Sequence, residues 1–303
     1  MIGNRHLIKF LLLASLLSGA SAAVAKDAAR LSASQLGVGA QYDTTHVYVA
    51  PEDVDKFATS FLATFGGQST KQVVVTVTPT PSSTTSQLLQ TPVGTVSLFG
   101  FKTPIPYPFG AERTGYLVTD INEAIKVAKE AGAAVLVATF PDPIGRDVVI
   151  QWPGGVNMQL YWHTTKPSYA AFETVPENRA YVSPQRADAF THSFIRFSHG
   201  KVVSDDVKAA GVEIGRPKDT YRRIRIESVF GKMTVFVTDG RLPYPYGREL
   251  TGYEVKDLQG TLTKAKASGA AVLVEPYTAD RRTAAMVQFP GGYIAEIHAA
   301  APK

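Results

Sequence analysis

Few kinds of side chain in this sequence could do chemistry. Cysteine is absent, so a metal ion would have to be held by histidine, carboxylate or amide groups, and no disulfide framework is available. His46 and His192 each follow a threonine, Glu112 recurs as Glu249, and Gln159 stands in one segment where Glu296 stands in another. Glu296 and His298 are two residues apart, which puts both on one face if the segment is a strand. Arg222, Arg223 and Arg225, with Arg281 and Arg282, could orient an anionic substrate through forked hydrogen bonds. The same charges could equally guard an exposed sheet edge. Tyr107-Pro-Phe109 and Tyr244-Pro-Tyr246 are stiffened aromatic segments able either to wall a ligand pocket or to pack as lids over a core. Tyr244, Tyr246 and Arg223 are therefore the substrate-binding candidates.

Other catalytic patterns are missing. There is no Gly-x-Ser-x-Gly elbow, phosphate loop, dinucleotide fingerprint or His-Glu-x-x-His helix, which removes the commonest hydrolase and cofactor classes.

The chain opens with Arg5, His6 and Lys9 before an apolar run from Phe10 to Leu17 and then small residues through Ala25. That order predicts a secretory signal peptide over 1–25, cleaved before Lys26, and a periplasmic or secreted protein. The run is too short to span a bilayer, which takes about 20 residues, so no integral membrane segment is expected after cleavage. Without Arg5 and Lys9 the Lys and Arg count falls from 31 to 29 against 26 acids, a charge of +3. Such a balance, without a basic stripe, argues against nucleic acid as a partner and leaves a small molecule as the expected one. Oligomerisation stays open.

The strongest organising signal is an internal repeat. Residues 105–120, Ile-Pro-Tyr-Pro-Phe-Gly-Ala-Glu-Arg-Thr-Gly-Tyr-Leu-Val-Thr-Asp, align without a gap with residues 242–257, at an offset of 137. Gly132 to Val137 match Gly269 to Val274, and Gln151-Trp-Pro-Gly-Gly matches Gln288-Phe-Pro-Gly-Gly at the same offset. Upstream, Thr45-His46 pairs with Thr191-His192 at an offset of 146, which predicts about nine extra residues in the first copy, in the polar tract Thr78 to Gln87. The domains then run over 40–164 and 190–300, with a proline-bearing linker over 165–189. Each copy alternates strand and helix signals: a strand at His46 to Ala50, a helix capped by Asp53, strands near Val73 and Gly94, then a strand at Tyr116 and a helix capped by Asp120 with Glu123 at the capping-box position. Three further strands follow it. The expectation is an α+β chain of tandem domains, each of two βαβββ modules.

These residues resemble the vicinal oxygen chelate superfamily of glyoxalase, bleomycin-resistance and extradiol-dioxygenase relatives. The carriers are His46 with Asp53 seven residues later, Gly-Tyr-x-Val-x-Asp entering a helix that ends in Ala-Gly-Ala, and Pro-Gly-Gly before a last strand with Gln159 or Glu296. The resemblance implies that two modules curl into a half-open barrel around a divalent metal such as Fe, Mn, Ni or Zn. It also implies metal ligation by His192 and Glu296 in the second copy, with Glu249 or His298 as third ligand, and by His46 and Gln159 in the first. Glu296 would further move protons. The sequence departs from the family pattern at Arg113 and Leu250, where a histidine is usual, and no carboxylate appears near Val96 to Phe99 or Thr234 to Val237. Glu112 and Glu249 can instead form ion pairs with Arg113 and Arg248. Because glutamine is the poorer ligand, the second copy is expected to hold the better site. The implied activity is a lyase, isomerase or dioxygenase reaction on a small oxygenated molecule, and the alternative is a metal-free binding protein of the bleomycin-resistance type.

Overall fold

The computed structural model describes residues 36–301, so the expected signal peptide lies outside the described residues. Strand β1 (Thr44–Val49) leads into helix α1 (Val54–Phe65), and β2 (Gln68–Ser69), β3 (Val73–Val75), β4 (Thr84–Thr91) and β5 (Gly94–Phe101) follow. A second module repeats the plan: β6 (Glu112–Leu117), α2 (Ile121–Glu130), β7 (Ala134–Asp142), β8 (Gly145–Trp152) and β9 (Val156–His163). The second half opens with β10 (Glu177–Val182), α3 (Ala187–Ser198), β11 (Lys201–Ala210), β12 (Thr220–Ser228) and β13 (Gly231–Val237). It closes with β14 (Thr251–Glu254), α4 (Leu258–Ala267), β15 (Ala271–Ala279), β16 (Arg282–Gln288) and β17 (Ile294–Ala300).

Each half is one curled sheet. The first runs β2-β4-β5-β1-β6-β9-β8-β7, with β3 also on β4, and the second runs β11-β12-β13-β10-β14-β17-β16-β15. In every module the last strand lies parallel to the first, as in β1 with β5 and β6 with β9, and the two modules join where β1 meets β6 antiparallel. The α+β plan of four βαβββ modules is therefore present.

Local signals account for the helices. Asp120 accepts hydrogen bonds from the backbone of Asn122 (2.8 Å) and Glu123 (3.0 Å), and Asp257 accepts from Gly260, so both open their helices as N-caps. Asp53 does not cap α1. Its carboxylate takes Lys56 instead, and Pro51 starts the turn into that helix.

The segment expected as linker, 165–189, contains β10 and the start of α3, so the connection is shorter, 164–176. In the sheets Thr44 and Glu177 hold the same place, opposite Gly115 and Gly252, which sets the first-module offset at 177 − 44 = 133. The second copy is then the longer one, by 137 − 133 = 4 residues, not the shorter by nine. His192 falls inside α3 and is exposed, because the dipeptide Thr191-His192 matches Thr45-His46 by coincidence.

The convex faces of the two sheets are joined through two cores, and each core draws on both halves. One gathers Tyr116, Ile150, Trp152 and Leu160 with Phe190, Phe194, Phe197 and Phe230. The other gathers Val47, Phe57, Phe61 and Leu98 with Tyr253, Leu262, Phe289 and Ile297. Ring pairs cross the boundary, Tyr116 with Phe230 at 4.6 Å and Phe61 with Phe289 at 5.2 Å, as do the hydrogen bonds of Thr45 with Thr251 (2.9 Å) and Asn178 with Tyr116 (3.2 Å). Truncating the fully buried Phe61 to Ala is expected to cost about 3–5 kcal/mol. Because the halves are fused this way, the loss will also shift the unfolding midpoint read by Trp152 fluorescence in the other core. A Trp152 midpoint left at the wild-type urea concentration, with only circular dichroism shifted, would separate the two halves and refute the fused arrangement. Among the described residues no helix is long and apolar enough to cross a membrane.

Candidate functional site

Alternation along β1 sends Val47 and Val49 into a core and turns His46 and Tyr48 into the concave side of the first sheet. There they line a cavity of about 280 Å³. Gly115 on β6 makes room for them: a Cβ there would lie 2.6 Å from His46 Nε2 and 2.8 Å from the Tyr161 ring, so no larger residue fits without displacing both.

Glu112 comes from the start of β6, where the pairing with β9 shifts register between Glu112 and Gly115. The irregularity brings its carboxylate against His46 and Tyr48, two residues that line the cavity. Glu112 Oε1 lies 3.3 Å from His46 Nδ1 and also accepts the Tyr48 hydroxyl, while Oε2 is buried with no hydrogen-bond partner. Gln159 on β9 donates its amide to Asp147 Oδ2 at 2.6 Å and keeps its carbonyl oxygen for other partners. Burial raises the Asp147 carboxyl well above the usual carboxylate range, and neighbouring Asp142 raises it further. Phe99, Phe109, Tyr161 and Tyr169 wall the cavity, residues of β3 and β4 cover one side, and His163 borders it. Burial holds the His163 imidazole below its ordinary value.

Among the described residues no group of three His, Cys, Asp or Glu is placed to hold a metal. The first cup nevertheless offers an imidazole, a carboxylate with a buried unpaired oxygen, and an amide on the neighbouring strands β1, β6 and β9. His46, Glu112 and Gln159 thus fit a hard or borderline divalent ion by donor type.

The second cup does not. At the place of His46 stands Arg179, whose guanidinium lies 3.0 Å from Glu296 Oε1, 3.2 Å from Glu177 and 3.6 Å from Glu249. Glu296 Oε2 lies 2.8 Å from His298 Nδ1 and Glu249 accepts the Tyr181 hydroxyl, so the carboxylates expected as ligands are already occupied. Burial alone would raise the Glu296 carboxyl, but Arg179 and His298 more than offset it and leave it below its usual range. For Glu249 burial prevails over Arg179 and its carboxyl is raised. The cup that seemed the better metal site from its glutamates is filled by a built-in cation.

The remaining expectations sort accordingly. Glu249 meets Arg179, and Glu112 meets His46, rather than Arg248 and Arg113. Arg223, expected to orient substrate, is buried among Glu213, Asp280 and Asp206. Tyr244 is exposed with Arg248 over its ring, and Tyr246 is half-buried against Gly215. Arg179 was not singled out by sequence, although a signal existed. Tyr48-Val49 and Tyr181-Val182, Pro51 and Pro184, Phe57 and Phe190, and Phe61 and Phe194 all recur at 133 residues, which sets Arg179 against His46.

No family model matches the chain, and no curated protein matches it. Solved structures do share its fold. A triple mutant of 4-hydroxymandelate synthase from Streptomyces coelicolor superposes with a TM-score of 0.57 at 14% identity, over 89% of this chain and 93% of that one. A xylose isomerase-like TIM barrel/4-hydroxyphenylpyruvate dioxygenase fusion protein gives 0.54 at 11% identity, over 89% of this chain and 50% of that one.

Proposed function

From the vicinal oxygen chelate fold, which this chain has in common with both enzymes, we propose that the first cup is the working site. It binds a small oxygenated molecule beside a divalent metal held by His46, Glu112 and Gln159, and the reaction is of the lyase, isomerase or dioxygenase class. The observation that carries this reading is the buried, unpartnered Glu112 Oε2, whose carboxylate meets His46, a residue of the cavity wall. A carboxylate oxygen taken out of water without a partner is costly, and a cation removes that cost.

When bound, the ion would supply Lewis acidity to adjacent substrate oxygens. The chain's own groups do the rest. Tyr48 fixes the Glu112 carboxylate and thereby the ring of His46. Asp147, whose proton affinity is raised by burial, is suited to hold a proton on a carboxyl oxygen. The aromatic walls exclude water from one side of the ligand. Arg179 and its carboxylates make the second cup a support. Periplasmic or secreted location, from the export segment expected over 1–25, belongs to this reading.

A second reading is a metal-free binding cup. It is favoured by the third donor being a neutral amide already bound to Asp147. Elemental analysis separates the two after the purified full chain is incubated with Mn, Fe, Ni or Zn and desalted. About one equivalent of metal is expected. His46→Ala will weaken it by more than the roughly 10–100-fold that loss of an outer-shell partner costs, and Glu296→Gln will leave it in place. A folded wild type that takes up none of the four ions would leave only the binding reading.

A further inference from the structure

The wall of the first cup changes with depth. Its buried part sets Thr44, His46, Asp147 and Gln159 beside the rings of Phe109 and Tyr161. Three lining residues are exposed, Thr70, Val73 and Ile144, and two of them are aliphatic, Val73 at 51% and Ile144 at 56% exposure. Polar groups at this mouth are engaged locally. Thr70 accepts the backbone N–H of Leu88 (3.0 Å) on its hydroxyl and the Gln87 amide (3.0 Å) on its carbonyl, and Asp142 accepts the N–H of Ile144 (3.2 Å). What the mouth leaves uncovered is apolar side chain.

Ile144 is out of place by turn chemistry. With Pro143 it forms the two-residue link from β7 to β8, a length that favours glycine, asparagine and aspartate. It belongs to none of the hydrophobic cores. Its carbonyl nevertheless accepts both the N–H (2.9 Å) and the hydroxyl (3.0 Å) of Thr164, which fixes the turn with the side chain at the cavity. In the second half Arg281 takes its place, at 281 − 144 = 137 residues, beside a cup closed by its own arginine. The aliphatic tip goes with the open cup.

Resting on the reading of the first cup as the working site, we propose that its ligand is an amphiphile, an oxygenated ring seated in the cup and carrying an aliphatic tail that lies over Val73 and Ile144. The ring meets Phe99, Phe109, Tyr161 and Tyr169, and its oxygens meet the polar groups of the buried part. The cavity, about 280 Å³, lies just below the roughly 300–1,000 Å³ usual for small-molecule sites, so it takes the ring and leaves the tail to the mouth. There the tail and the two side chains cover one another from water. This preference for a tail needs no particular charge state of any residue in the cup.

Calorimetry on the purified full chain with benzyl alcohol and its 4-ethyl, 4-butyl and 4-hexyl derivatives tests this, with metal uptake measured on the same samples. Affinity is expected to rise about twofold per added methylene, half-way on a logarithmic scale to the roughly fourfold of complete burial. Val73→Ser and Ile144→Ser will flatten that rise. Val203→Ser and Val207→Ser, also at exposed positions but on β11 in the second half, will not, which separates a seated tail from general apolar adhesion. An affinity independent of tail length, a rise that survives both Val73→Ser and Ile144→Ser, or no binding by any of the alcohols overturns the proposal. If the wild type takes up metal and His46→Ala weakens that uptake, the working-site reading stands and the tail alone fails. If no metal is taken up and no alcohol binds, both fail together.

Discussion

Arg179→Met costs the folded protein about 3–5 kcal/mol, the usual consequence of removing one member of a buried ionic group and stranding its partners. Arg179 is central to the second cup: Glu177, Glu249 and Glu296 all lie within 3.6 Å of its guanidinium, and each of these side chains is at most 5% exposed. Methionine fills much of the volume, so the loss reports charge rather than a cavity. Arg282 still reaches Glu177 and His298 still reaches Glu296, which keeps the variant foldable. Urea denaturation reads the effect as a lower midpoint at unchanged slope. The Arg179→Met, Glu296→Gln double variant will recover part of it, because one stranded charge is gone. A single-variant loss below about 1 kcal/mol, the range of an exposed ion pair, would mean that the guanidinium is not the cup's central cation.

The second large effect is a stability maximum on the mildly acidic side of neutrality. Glu177 and Glu296 have folded-state values below their unfolded ones, since Arg179 and its neighbours outweigh burial. Their contribution is fully present above the unfolded glutamate value of about 4.3 and is lost as pH falls through the folded values, so stability drops steeply below about pH 4. Asp43 and Glu249 behave oppositely: burial raises both, against a backbone N–H of Leu117 in the first case and against Arg179 in the second. The folded state binds their protons more readily than the unfolded chain, so stability rises as pH falls from neutrality through their folded values. Urea midpoints measured from pH 3 to pH 8 will pass through a peak, and the acid limb will flatten in Arg179→Met. Midpoints that climb steadily from pH 5 to pH 8 would contradict the raised carboxyls.

How much of this was legible in the sequence depended on what each segment must bury. The second modules align at 137 residues from Ile105 with Leu242 through the Pro-Gly-Gly turns, because tight turns and helix caps such as Asp120 and Asp257 admit few residue types. The first modules were harder. β10 carries Glu177, Asn178 and Arg179 in buried positions, so it does not read as an apolar strand until Arg179 is seen among its carboxylates. The Thr-His dipeptide in α3 recurs by chance and sets His192, in place of Arg179, against His46. Glu112 was visible as a repeated acid, yet its turn toward His46 depends on a register shift in β6 that no composition reveals. Asp147 was invisible as a site residue because its neighbours arrive from β7 and β9.

The sharing of the two cores gives the duplication a particular mechanical consequence. Each core draws on both halves, so removing either copy would expose the apolar face of the other to water. The interior of the second cup lies on the other face of its sheet from these shared cores. An arginine there is a tethered counterion, permanently present at unit stoichiometry and indifferent to metal supply. The two cups thus treat a buried carboxylate in two ways within a single chain: the second is closed by a residue, while the first leaves Glu112 Oε2 without a hydrogen-bond partner.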